Sequence, residues 1–260
     1  MPCLWHIEKL PRFSNSDVEM PGVAMNIENN PSSIPDEKPM QTPSLRHRIT
    51  FATERTLAYV SVLELTAIWE RSLRRGAIPL RYSQGFNPRP KMNFAAPLPV
   101  GCGSEAELLD IWLEESLYPE AILSAMKKKT PVDLHIVDIS AINIDAPTLS
   151  EQLRSAEYSV WLQDITVETL KTKIEALLAM DVIQRPRRGK KYRGKIYDLR
   201  KLIMDLRVTS EGNDPLHEVW MHLMAEYGAT GRPDEVIQAL GIAHCLRRCS
   251  RSRLILTDTV

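Results

Sequence analysis

The spacing of apolar residues in this chain changes from a period of two to a period near 3.6 and back in a fixed order. That order narrows the possible folds more than any single motif does. "RHRITFATE", residues 46–54, alternates His47, Ile49 and Phe51 with Arg46, Arg48 and Thr50, the pattern of a half-buried strand. "SVLELTAIWERSLRRG", 61–76, predicts a helix: Ser61 and Glu64 stand at capping-box spacing, Leu65, Ile68, Trp69 and Leu73 form one stripe, and Arg74, Arg75 and Gly76 close it. "MNFAAPLPV", 92–100, is extended, but Pro97 and Pro99 bring no amide hydrogen to a ladder, so this strand belongs at a sheet edge. "AELLDIWLEE", 106–115, sets Leu109, Ile111 and Leu113 on one face and Asp110 and Trp112 on the other. Carboxylates such as Glu107 and Asp110 on an alternating strand are expected to face water. A short helix over "YPEAILSAMKKKTP" and a strand over "DLHIVDISAINI" complete the unit.

The order βαββαβ is that of the split βαβ or ferredoxin-like arrangement, whose second strand lies at an edge. It then recurs: "AEYSVWLQ" as a strand, "TVETLKTKIEALLAM" as a helix, "KLIMDLRV" and "EVWMHLMAE" as strands, "PDEVIQALG" as a helix and "SRLILTD" as a strand. The expected fold is α+β, two ferredoxin-like (βαββαβ) halves in tandem over 45–147 and 148–260, behind a tail over 1–44. The tail is rich in Pro, Asn, Ser and acidic groups and has no apolar period. It cannot bury enough surface to offset its ordering entropy, so disorder is expected there.

Composition bounds the function. Of 260 residues, 43% are hydrophobic and 25% charged, a globular balance, and the formal charge is zero, so attraction to a polyanion must come from a local patch. Four cysteines, Cys3, Cys102, Cys245 and Cys249, are too scattered for a disulfide framework, and there is no long apolar run. A reducing cytoplasm and no membrane partner are expected. Cys245 and Cys249 beside His244 lack the second ligand pair of a structural zinc site, so no metal or other cofactor is expected. "GCGSE", 101–105, lacks the lysine and following helix of a phosphate loop and reads as a tight strand connection.

Cationic segments carry the stronger signal. In "YSQGFNPRPKMNFAAPLPVG", 82–101, Pro88 and Pro90 bias Asn87 and Arg89 towards extended backbone and hold Arg89 and Lys91 on a stiff rod. Gly85 permits a close approach or a positive φ, and Tyr82 and Phe86 are expected to pack the rod to the domain. "RPRRGKKYRGK", 185–195, has seven cations in eleven residues and no acid, with Tyr192 available to stack on a base. "RRCSRSR" adds Arg247, Arg248, Arg251 and Arg253. The expected binding residues are Arg74, Arg75, Arg81, Tyr82, Ser83, Gln84, Phe86, Asn87, Arg89 and Lys91 around the first segment. Arg187, Arg188, Lys190, Lys191, Tyr192 and Arg193 represent the second. Solvated connectors explain the same composition.

The run "YSQGFNPRPKMNFAAPLPVGCGSEAELLDIWL", with the "RITF" strand and the "ERSLRRGAIPLRYS" helix end before it, resembles the uncharacterised bacterial family of radical SAM-linked proteins. Its densest stretch is Arg48 to Trp112, with Ser83 to Pro88 as the core. One departure stands at Ser61-Val62-Leu63-Glu64, where the family usually carries Ser-His-Leu-Asp. The resemblance implies a radical SAM enzyme as partner, because members are encoded beside or fused to one. This chain has no run of three closely spaced cysteines to hold such an enzyme's cluster. Two functions remain open: a non-catalytic accessory protein that binds RNA or another anionic substrate through its basic loops, and a protein-protein interaction module that holds the radical SAM partner without touching nucleic acid. Trp112 and Trp161 suit either, as stacking platforms or as packing between the halves. An enzyme in its own right ranks last.

Overall fold

The computed structural model describes residues 42–187, 194–210, 215–226 and 228–257. Residues 1–41 of the expected tail, and Arg188, Lys190, Lys191, Tyr192 and Arg193, lie outside the described residues.

Strand β1 (Ser44–Thr53) turns Ile49 and Phe51 towards helix α1 (Val62–Arg75), whose Leu65, Trp69 and Leu73 meet them; the rings of Phe51 and Trp69 lie edge-on at 4.9 Å. The helix starts where its spacing predicts. The Ser61 hydroxyl accepts from the Glu64 amide at 3.3 Å, and the Glu64 carboxylate accepts from the Ser61 amide at 2.7 Å. Strand β2 (Met92–Phe94) is shorter than expected, ending before the proline pair interrupts the ladder. Strand β3 (Cys102–Leu117), helix α2 (Pro119–Met126) and strand β4 (Leu134–Ile142) follow, and pairing runs β4-β1-β3-β2 with every neighbour antiparallel.

A connection containing the one-turn α3 (Leu149–Gln152) leads to β5 (Leu153–Gln163) and α4 (Val167–Leu178). A hairpin of β6 (Gln184–Pro186) and β7 (Ile196–Asp198) stands apart from the main sheet. Strands β8 (Ile203–Val208), β9 (Leu216–Glu226) and β10 (Ala229–Thr230), helix α5 (Pro233–Ala239) and strand β11 (Leu246–Leu256) complete the described chain. Here the order is β11-β5-β9-β8, again antiparallel throughout.

The two passes share one sheet. Cys249, Ser250 and Arg251 of β11 pair in parallel with Cys102, Gly103 and Ser104 of β3, so that, among the described residues, nine strands form a single, mostly antiparallel sheet. Leu170, Ile174 and Leu177 of α4 and Val236 and Ile237 of α5 pack against Tyr158, Val160, Val219 and Met221. Leu73, Ile122 and Met126 of α1 and α2 cover Ile49, Leu109 and Ile111. Glu107 stands opposite Phe51 and Arg251 opposite Tyr158, both on covered faces, and the two side chains pair directly. The covered faces therefore lie on one side of the sheet.

Three sequence-based expectations fail. Asp110 and Glu107 do not face water: they are 0% and 2% exposed. "GCGSE" is not a connection, because Cys102 to Glu105 already belong to β3. The final strand begins at Leu246 rather than Ser252, which takes the "RRCSRSR" cluster into the ladder and leaves Arg251 1% exposed. One cause underlies all three. β3 and β11 are longer than their apolar runs, because buried ion pairs let charged residues occupy sheet interior.

A candidate nucleic-acid interface

Residues 83–89 form a loop closed at its base. The Ser83 amide donates to the Arg89 carbonyl at 2.8 Å and the Arg89 amide to the Ser83 hydroxyl at 3.0 Å. Below that, the Lys91 amide donates to the Arg81 carbonyl at 2.7 Å. The Arg81 amide donates to the Trp112 carbonyl at 2.8 Å, and the Trp112 amide to the Lys91 carbonyl at 3.2 Å. The loop is thus bolted to β3 at Trp112, and the ladder continues on either side through Leu80 with Leu113 and Met92 with Ile111. Gly85 sits at φ +145°, and a Cβ placed on it would meet no atom within 4 Å, so backbone conformation, not crowding, calls for glycine there.

Expectation and geometry part company at the loop tip. Phe86 does not pack the rod down: its ring is fully exposed. Gln84 and Asn87 beside it are exposed too, while Tyr82 is half-buried against α1 and accepts from the Arg74 guanidinium at 3.3 Å. Arg74 is also paired with Glu70 at 2.8 Å, and Arg75 donates to the Lys129 carbonyl at 2.6 Å, tying α1 to the turn after α2. These two arginines are partly committed to the fold. Arg81, Arg89 and Lys91 are exposed, and no carboxylate holds them among the described residues. The loop therefore presents one apolar ring and three exposed cations, of which Lys91 also rests on an aromatic ring.

Beneath it lies a stack centred on the buried Trp112. The Lys91 ammonium sits 4.7 Å from the Trp112 ring centre and the Arg46 guanidinium 4.8 Å from it. Arg46 donates to Asp110 at 2.7 Å, and Arg48 donates to the same carboxylate at 2.8 Å. Arg46 also donates to the carbonyls of Ala146 and Pro147, in the connection from β4 to β5. Trp112 itself, with both cations on its ring, is 5% exposed and so packs rather than stacks on a ligand.

Trp112, Trp161 and Trp220 share the sheet face turned away from α1, α2, α4 and α5, and each carries a cation over its ring. Arg248 lies 4.5 Å from the Trp161 centre and Arg207 4.2 Å from that of Trp220. Sequence reasoning missed Trp220 and Arg207. Their alternation along β9 and β8 was visible, but their pairing depends on register.

The second basic segment is anchored elsewhere. Arg185 pairs with Glu235 of α5 at 2.8 Å and donates to Gln238, so it holds the hairpin down, whereas Arg187 is exposed with its guanidinium 5.9 Å from the Tyr197 ring centre. The α5 start lines a cavity with Pro99 to Cys102, at the opposite end of β3 from Trp112. Ten residues of strand, about 33 Å, separate Cys102 from Trp112. The described parts of the two segments thus have separate footings.

The Cys102 thiol is poorly placed for nucleophilic chemistry. A hydrogen bond with Cys249, together with burial, pushes the Cys102 thiol well above its ordinary value, which keeps it protonated near neutrality. Among the described residues no group of three or more His, Cys, Asp or Glu is placed to hold a metal ion, and no helix is long and apolar enough to cross a membrane.

A family model described as an uncharacterised protein conserved in bacteria, DUF2344, matches residues 46–233. The chain belongs to this family. The match runs from β1 to the start of α5, so the DUF2344 region includes both basic segments and the stack under Trp112. No curated protein matches the chain. Among solved structures, a Cbf5-Nop10-Gar1 complex overlaps it with a TM-score of 0.45 and 10% identity, over 80% of this chain and 48% of that one. An archaeal box H/ACA sRNP Nop10-Cbf5 complex does so at 0.44 and 11%, over 89% and 56%. The chain spans about half the length of these solved chains, and at such scores the overlap does not establish a shared fold.

Proposed function

We propose that this protein is a non-catalytic accessory of a radical SAM enzyme in the cytoplasm that grips RNA, or a similar polyanion, through the closed loop of residues 83–89. One observation carries the reading: a loop fixed by four backbone hydrogen bonds around Arg81, Ser83, Arg89 and Lys91 projects the fully exposed Phe86 between available cations. An exposed ring offers a stacking surface to any base, and cations carried on a fixed backbone replace phosphate counterions with little further loss of loop entropy. The radical SAM partner is supported by the resemblance of Ser83 to Pro88 and its surroundings to the radical SAM-linked proteins. The strand orders β4-β1-β3-β2 and β11-β5-β9-β8 support reading the chain as two ferredoxin-like units meeting near residue 147. Phe86 also favours a second reading, because a lone exposed ring on a rigid loop is equally suited to enter a pocket of the partner enzyme.

The test is binding of the purified chain to total cellular RNA across a salt series, beside capture of the radical SAM partner. Saturable binding with a steep salt slope, reduced by about 1.4 in the double variant Arg89→Ala, Lys91→Ala, is the expected result for single-stranded contacts. Unchanged affinity removes the loop from the RNA surface. Partner capture lost in Phe86→Ala, with no RNA binding by the parent protein, selects the interaction module.

A further inference from the structure

We infer that the cavity between the β6–β7 hairpin, β10 and α5 is a nucleotide site, taking a phosphorylated ligand with a planar ring. The cavity measures about 690 Å³, within the range of sites that enclose whole small molecules and far more than a lone phosphate needs. Its charge is positive. Lys201 and Arg232 line it, both exposed, and no hydrogen bond or ion pair engages either side chain among the described residues; Arg187 lines it as well.

The two carboxylates in the wall already have work within the fold. Asp198 accepts from the Ile183 amide at 2.9 Å and the Arg200 amide at 3.0 Å, and Glu235 is buried against the Arg185 guanidinium at 2.8 Å. A ligand therefore meets a net cationic rim over satisfied acids, which selects anions. The remaining wall is apolar and partly aromatic: Tyr197, with the Arg187 guanidinium over its ring, faces the same space as Leu202 and Met224. Phosphate on Lys201 and Arg232, with a ring against Tyr197 and the apolar wall, satisfies both halves of the lining. No residue of the 83–89 loop lines this cavity, so the inference stands or falls apart from the RNA-gripping loop.

Either a free nucleotide or the phosphorylated end of an RNA strand supplies this chemistry. Calorimetric titration of the full chain with the four ribonucleoside 5′-monophosphates, the matching nucleosides, inorganic phosphate and a short 5′-phosphorylated oligoribonucleotide separates them. At least one monophosphate or the oligonucleotide is expected to bind, at least tenfold more tightly than its nucleoside or phosphate alone, with the 5′-phosphate required in the oligonucleotide. Lys201→Ala with Arg232→Ala is expected to weaken binding at least tenfold at unchanged melting temperature, and Lys201→Glu further. Arg89→Ala with Lys91→Ala is expected to leave monophosphate binding intact. A monophosphate that binds as tightly as the oligonucleotide marks the free nucleotide as the ligand; tighter binding of the oligonucleotide marks the strand end. Failure of every monophosphate and of the oligonucleotide to bind, nucleoside or phosphate binding as tightly, or full affinity in the Lys201, Arg232 variant overturns the assignment.

Discussion

At the scale of single residues, the heaviest demands fall on the buried charges. Arg251 and Glu107 lie 144 positions apart in sequence and meet inside the sheet, with the Arg251 Nε donating to the carboxylate at 2.7 Å. Burial works against the charge of Arg251, but Glu107 and Tyr158 more than offset it and hold its proton above the ordinary guanidinium value. Removing one partner leaves the other charged and enclosed. Glu107→Gln is expected to cost about 3–5 kcal/mol in urea unfolding, and replacing both residues by apolar ones of similar volume to recover most of that loss. His47 adds a pH term. Burial holds its pKa below the ordinary value near 6.5, so the folded state binds fewer protons than the unfolded chain. Stability is therefore expected to be whole above that value and to fall as the pH drops below it, and His47→Gln to flatten that part of the unfolding profile. None of these partnerships was legible in the sequence. A period of two reveals which residues share a face, but not that Asp110 would meet Arg46, 64 positions away, under a connection that seals them from water.

At the scale of elements, sequence and structure agree where the physics is local. The Ser61 and Glu64 spacing marks the start of α1, and Pro119 in the first turn marks that of α2. Ser61→Ala is expected to cost about 1 kcal/mol by thermal or urea unfolding, since it removes one capping acceptor. The proline-rich loop was legible as a rigid cationic segment, but its tip was misjudged. Whether Phe86 folds inward depends on the ladder from Ser83 to Lys91, which points the ring outward. Because nothing in the fold leans on it, Phe86→Ala is expected to leave the melting temperature unchanged while weakening RNA binding by about 1–3 kcal/mol, measurable by filter binding at fixed salt. Leu109→Ala is the opposite case. Fully buried under α1, it is expected to destabilise the chain by about 2–5 kcal/mol.

At the scale of the whole molecule, much of the order of elements was legible, but not the short strands β6, β7 and β10, nor the union of both passes into one sheet, which rests on pairing between residues nearly 150 positions apart. That seam, three parallel residue pairs between β3 and β11, has a consequence for how the protein is made. The ribosome delivers β3 long before β11, and until β11 arrives the Cys102–Ser104 edge of β3 and the facing edge of β5 offer unpaired backbone to any neighbour. The chain's most vulnerable moment is therefore its own synthesis, when an early-formed sheet must wait for its closing strand.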